Sequence, residues 1–195
     1  NYDLKRLYRV ILNSQTYQFS CIAASSSPGV GANFACYPLR RLEAEVLIDA
    51  LCEVTGTTEE YQSPIPEPFT FIPKDVRSVQ LADGSISSSF LEMFGRPSRD
   101  TGLESERSNR PTADQRLHML NSSHIRRKIE QGPKMSQYLS TRNPREAVSR
   151  LYLAILSRYP TDAELQAVSE HFGKGTAKGR DAAADLAWAL FNSTE

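Results

Sequence analysis

Arg96, Arg99, Asp100, Glu104, Glu106, Arg107 and Arg110 crowd the stretch from Gly95 to Pro111, which is too rich in Gly and Pro to be regular structure. Charges held on such a loop beside a rigid element form either a site or an ion-paired clasp. If Glu43 or Glu45 meets Glu106 or Asp100 across a sugar, one carboxyl kept protonated and one ionised, the pair fits glycoside hydrolysis. Glu43, Asp100 and Glu106 are therefore the candidate catalytic residues. The surrounding arginines oppose that chemistry, because a guanidinium depresses a carboxyl pKa and favours permanent pairing. The preferred expectation is a structural ion-pair cluster of Arg40, Arg41, Glu43, Arg96, Arg99, Glu106 and Arg107. The same arginines are able to grip sulfate or carboxylate bidentately, so a glycan or anionic ligand is the recognition alternative.

Other chemistries have less support. His118, His124 and His171 are the only imidazoles, and a spacing of six puts His118 and His124 on different faces of a single helix. No HxxxH pattern is present, and neither a metal site nor a cofactor is expected. There is no Gly-x-Ser-x-Gly elbow for a serine nucleophile. Cys21, Cys36 and Cys52 are an odd set without CxxC spacing, which leaves a Cys21–Cys36 disulfide or free thiols.

The elements that position these groups read as mostly helical. Leu4, Leu7, Tyr8 and Ile11 recur at helical spacing behind the N-cap candidate Asp3. Residues Ser20 to Phe34 read as a flexible connector, since their glycines precede no Gly-Lys-Ser/Thr. From Pro38 to Val54 the periodicity predicts a helix ended by Gly56. It places Glu43 in the middle of the apolar face, where Arg40 or an arginine of the 96–110 loop must meet it. Arg41, Glu45 and Asp49 form a row on the opposite face. Apolar residues on both faces imply packing on more than one side.

Thr57 to Leu91 carries Pro64, Pro66, Pro68 and Pro73, and only Phe69–Ile72 and Val76–Leu81 are strand candidates. A short helix over Ser89–Phe94 should end at Gly95. Thr112-x-x-Gln115, Asn143-x-x-Glu146 and Thr161-x-x-Glu164 open three helices. Gly132-Pro133 and Gly173-Lys-Gly175 are breaks, and Arg180–Phe191 is a last helix. Asn13-Ser14, Asn121-Ser122 and Asn192-Ser193 follow apolar stretches, as suits asparagine in a left-handed C-terminal position. The alternative is an internal repeat. Among the aromatic residues, Tyr17, Phe34, Tyr37, Phe69, Phe71, Phe90 and Phe94 offer a sugar-stacking platform, but most are expected to close the core. Tyr152, Tyr159 and Trp188 are expected in the core or at its rim. The fold class is a mainly α, irregular helical domain with a long Pro-rich wrapping loop and at most a small β-hairpin. The expected organisation is one domain over 1–195, with N-terminal helices and linker to 56, the long loop over 57–111 and helices over 112–195.

The chain has 195 residues, enough for a sizeable core, with 23 basic against 23 acidic side chains. Zero net charge leaves no electrostatic footprint for nucleic acid. No apolar run approaches the ~20 residues of a membrane span, and we expect any targeting signal to lie elsewhere or to have been removed. We expect a piece of a longer protein.

Five ordered motifs carry a resemblance. They are Leu12-Asn-Ser-Gln-Thr-Tyr-Gln, the run from Tyr37 through Ala50, Phe94-Gly-Arg-Pro-Ser-Arg-Asp with Glu104-Ser-Glu-Arg107, Leu117-His-Met-Leu-Asn-Ser122, and the run from Leu151 through Glu164. Together they resemble the DUF1553 (PSD1) domain of planctomycete-type secreted proteins over nearly the whole chain. The resemblance implies an extracytoplasmic setting, with DUF1549 and cytochrome-c-like domains upstream as partners and a link to polysaccharide utilisation. It implies no established activity. The reading is a non-catalytic or accessory module; a carbohydrate-active enzyme and a helical docking module are the alternatives. Where family members often carry Cys-x-Cys, this chain has Leu103-Glu-Ser105, so metal or disulfide chemistry at those cysteines cannot operate here.

Overall fold

A computed structural model describes residues 2–21, 33–37, 39–66, 69–81, 86, 88–97, 106–108, 110–138, 140–141, 143–174 and 179–194. The elements are α1 (Leu4–Leu12), α2 (Ala44–Thr55), a 3-10 turn (Ser78–Gln80), α3 (Ser89–Met93), α4 (Ala113–Asn121), α5 (Ser123–Gln131), α6 (Pro133–Tyr138), α7 (Pro144–Leu156), α8 (Asp162–Lys174) and α9 (Arg180–Phe191). The chain is mainly helical, and no β-sheet forms among the described residues. The small hairpin that the sequence allowed at most does not form there, and part of its second strand candidate is the 3-10 turn.

Two compact units are present, Asn1–Arg41 and Leu42–Thr194. In the first, the Asp3 side chain accepts the Arg6 N–H at 3.0 Å, the expected N-cap of α1. No residue of α1 is buried.

In the second unit α2 is central, packed against α3, α5, α6 and the 3-10 turn, while α9 lies on α5 and α7. Ile48 and Leu51 meet Phe90, Leu91, Ile125, Ile129, Leu151 and Ala187 in the core. The sequence-predicted start of α2 at Pro38 is corrected: residues 39–43 are not helical, and Glu43 is the N-cap. The core face is also rotated from the expected one. Ala44, Glu45, Ile48, Asp49 and Leu51 are buried, whereas Leu39, Leu42 and Val46 are exposed. Periodicity failed because Glu45 and Asp49, polar by type, are buried beside Ile48 with partners from the chain that follows. Gly56 caps α2 in the left-handed conformation, as expected.

The Pro-rich segment is fastened through Asp49. Its Oδ1 accepts the Ser78 N–H at 2.7 Å and its Oδ2 the Val79 N–H at 3.2 Å. The Tyr61 hydroxyl contacts Ser78 Oγ in the same place. Burial pushes the Tyr61 phenol up to about 12.

Helix starts follow the expected chemistry with one variation. Thr112–Gln115 and Thr161–Glu164 form reciprocal caps. Asn143 caps the Arg145 N–H at 3.1 Å, while Glu146 turns to Thr141 and Arg150. Asn13 and Asn192 are C-caps but not left-handed, with φ of −92° and −99°. Their side-chain amides instead donate to the carbonyls four residues back, Arg9 at 2.7 Å and Trp188 at 2.9 Å. That bond satisfies a terminal carbonyl without a change of backbone hand. Asn121 ends α4 in helical conformation, and Ser122 caps α5 by accepting the Ile125 N–H at 3.2 Å.

Of the seven aromatics that offered a stacking platform, Phe90 and Phe94 are buried. Tyr17, Phe34, Tyr37, Phe69 and Phe71 are exposed. Tyr152 is core, Tyr159 is exposed, and Trp188 lies at the rim with Nε1 donating to Leu120 O at 3.1 Å.

Candidate functional site

The charged cluster forms around Glu45, in the first turn of α2. Two residues beyond α3, Gly95 takes φ +102°, a backbone region that favours glycine, and the Arg96 N–H reaches back to Leu91 O at 2.9 Å. A Cβ on Gly95 would stand 2.1 Å from Ser108 O, so only glycine lets the returning chain approach this closely. Ser108 N–H then donates to Gly95 O at 3.1 Å. This contact sets Arg96 and Arg107, eleven positions apart, against the same carboxylate.

Arg107 grips Glu45 with both terminal nitrogens, Nη1 to Oε2 at 2.8 Å and Nη2 to Oε1 at 2.7 Å. Arg96 adds its Nε at 3.5 Å from Glu45 Oε1. The Arg96 and Glu45 side chains are each 9% exposed, and Arg107 is 25% exposed. Arg96 Nη1 is buried without a hydrogen-bond partner. Burial opposes the charge on Glu45, but the Arg107 bonds, its own backbone N–H and the two guanidinium charges outweigh it. The carboxyl is held below its ordinary range.

The predicted residues separate accordingly. Arg96 and Arg107 belong to the cluster. Glu43 lies at its rim, 48% exposed and 3.9 Å from Arg107 Nη1, rather than mid-face on the helix. Glu106 is exposed. Arg40 and Arg41 are exposed and belong to the first unit. Arg99 and Asp100 lie outside the described residues. Glu45, named in the sequence only as an alternative to Glu43, is the centre.

A second buried polar cluster was not foreseen. Lys128 of α5 has a 6% exposed side chain, and its ammonium contacts Glu59 at 2.7 Å, Thr57 Oγ1 and Thr58 O at 3.1 Å and Cys52 Sγ at 3.2 Å. Glu59 Oε1 also meets His124 Nε2 at 2.6 Å. Burial resists the charge on Glu59, but His124 and Lys128 hold its carboxyl below the usual range. Burial pushes the Cys52 thiol up against the pull of Lys128.

His118 and His124 do not share a helix. Ser122 ends α4 and starts α5, and the bend brings His118 Nε2 to 3.3 Å from His124 Nδ1. The serine cap between the two imidazoles was the signal in the sequence. Among the described residues no three or more His, Cys, Asp or Glu side chains converge as metal ligands. No disulfide joins Cys21, Cys36 or Cys52 in the structure. No described helix is long and apolar enough to cross a membrane.

These features define an all-α module whose central helix is tied to a returning loop by a buried arginine–glutamate–arginine clasp. The sequence profile of PSD1, described as a protein of unknown function (DUF1553), matches residues 1–172, and the chain belongs to that family. Comparison with curated proteins and with solved structures gave no match.

Proposed function

We propose that this chain is a non-catalytic accessory module of a secreted multidomain protein, linked to polysaccharide utilisation and to a cytochrome domain upstream. The observation that supports it is the state of Glu45. Both its oxygens are taken by Arg107, a second arginine lies against it, and its pKa is lowered. A general acid needs a raised pKa and a nucleophile needs an open face; Glu45 has neither. The secreted setting, the upstream domains and the polysaccharide link rest on family resemblance. The test is incubation of the intact protein with a panel of sulfated and neutral polysaccharides. We expect no turnover. Turnover that Glu106→Gln abolishes while the circular dichroism spectrum is kept would overturn the reading in favour of a carbohydrate-active enzyme.

One observation favours a docking role within the same module. On α1, Leu4, Leu7, Tyr8, Val10, Ile11 and Leu12 are exposed along one side, with Lys5, Arg6 and Arg9 on the other. An apolar stripe of this width normally covers a partner. The upstream domains are the expected partner, and Leu7→Asp should abolish their association with the chain in analytical ultracentrifugation.

A further inference from the structure

We propose that the cleft between the α4–α5 bend and α9 is a binding site for an uncharged oligosaccharide, with Trp188 as the surface on which a sugar ring stacks. The cleft holds about 420 Å³, within the range of small-ligand sites, and Asn121, Arg126, Asp185 and Trp188 line it. Trp188 is 38% exposed and is the only tryptophan of the chain. Its Nε1–H donates to Leu120 O at 3.1 Å, so the indole is anchored and its one polar atom is spent. What it offers a ligand is rigid carbon surface, the counterpart of the C–H face of a pyranose.

Polar groups with bonding capacity to spare surround that surface. Asp185 precedes Trp188 by three positions on α9, which puts both on one side of the helix. Among the described residues, no side-chain hydrogen bond engages Asp185 or Asn121. Arg126 binds Glu130 through Nε, at 2.6 Å, which leaves its Nη groups as donors and Glu130 Oε2 as an acceptor. A carboxylate, an amide and a guanidinium around an aromatic ring match the donors and acceptors of vicinal hydroxyls. Two carboxylates against one guanidinium disfavour sulfate and phosphate, and the polar rim is a poor seat for an acyl chain. The cleft shares Ile129, Glu130 and Ala184 with a second hollow of about 280 Å³ that reaches Arg180 and Asp181. From Trp188 to Arg180 the helix runs about 12 Å, longer than one sugar ring, so the ligand is a stretch of chain rather than a monosaccharide. The inference rests on the accessory-module reading, whose ligand class it supplies, and the cleft shares no residue with the Glu45 clasp.

Because Trp188 is the only tryptophan, its emission in the unmodified chain reports on the cleft directly. The intact chain would be titrated in turn with cellohexaose, xylohexaose and mannohexaose, with λ-carrageenan as the sulfated control. At least one neutral hexamer should shift the emission to the blue and protect it from acrylamide quenching, and carrageenan should do neither. In calorimetry, Trp188→Ala should weaken binding about 10-fold or more, and Asp185→Asn and Asn121→Ala about 5-fold each. Phe71→Ala, which removes an exposed ring outside the cleft, should leave binding unchanged. Emission that no hexamer alters, or binding that a folded Trp188→Ala keeps in full, would overturn the site. Cleavage of a bound hexamer, lost in Trp188→Ala, would support the site and overturn the accessory reading instead.

Discussion

The clasp predicts an asymmetric response to removal of its members. Glu45→Gln leaves Arg96 buried with no carboxylate, when one of its nitrogens already lacks a partner. Removing one side of a buried pair costs about 3–5 kcal/mol. Arg107→Gln is milder, about 2–3 kcal/mol, because Arg96 still faces Glu45 and Arg107 is partly exposed. If the two act through one bidentate contact, the double variant should fall short of the sum by about 1.5–3 kcal/mol. Urea unfolding followed by circular dichroism and Trp188 fluorescence measures each term, provided the denaturant slope stays constant. For a chain of this length the Glu45 loss corresponds to roughly 10 °C in Tm. Acid adds an independent check. The folded pKa of Glu45 is depressed, so its contribution is present above the unfolded carboxyl value and is lost as pH falls through the folded one. Wild type should therefore lose stability below about pH 4 more steeply than Glu45→Gln. Additivity within about 0.5 kcal/mol, or parallel acid profiles, would refute the clasp as an energetic unit.

Gly95→Ala should destabilise by about 3 kcal/mol through its φ and its clash with Ser108 O, whereas Gly173→Ala, in open helical surroundings, should be neutral or mildly stabilising; thermal melts separate the two. Asp49→Ala leaves the Ser78 and Val79 N–H groups without their acceptor and should cost about 2–3 kcal/mol and speed proteolysis of the Pro-rich segment. The Tyr61 phenol, raised to about 12, contributes stability that is present below its unfolded value and lost as pH rises through about 12; a difference ultraviolet titration against Tyr61→Phe should show that late phenolate. Arg158 holds the Glu164 carboxyl at about 2, and carboxyl NMR should find that midpoint in wild type and a higher one in Arg158→Gln. Screening limits this pair to about 1 kcal/mol, present above the unfolded carboxyl value and lost as pH falls toward 2.

Helix existence was legible in the sequence wherever caps and breakers coincide, as at Thr112, Asn143, Thr161, Gly56 and Gly132-Pro133. The orientation of α2 was not. Hydrophobic periodicity assumes that polar residues face water, and α2 buries Glu45 and Asp49 with partners 62 and 29–30 residues away. Long-range pairing of this kind leaves no trace in local spacing. The cluster was legible in composition, since its arginines come from the segment where charge is densest, but the choice of Glu45 over Glu43 depends on where the first turn begins. The six-residue spacing of His118 and His124 separates them only in a continuous helix, and the Ser122 cap breaks that helix and brings the two rings together.

The joint between Gly95 and Ser108 closes the loop at its base. Both ends of the intervening stretch are anchored, by a backbone bond at its base and by two arginines on one glutamate. Lengthening a loop that is already closed costs only about 0.6 kcal/mol per doubling, well below the strength of such an anchor. The anchors at both ends leave the length of sequence between Arg96 and Arg107 only weakly constrained in energy.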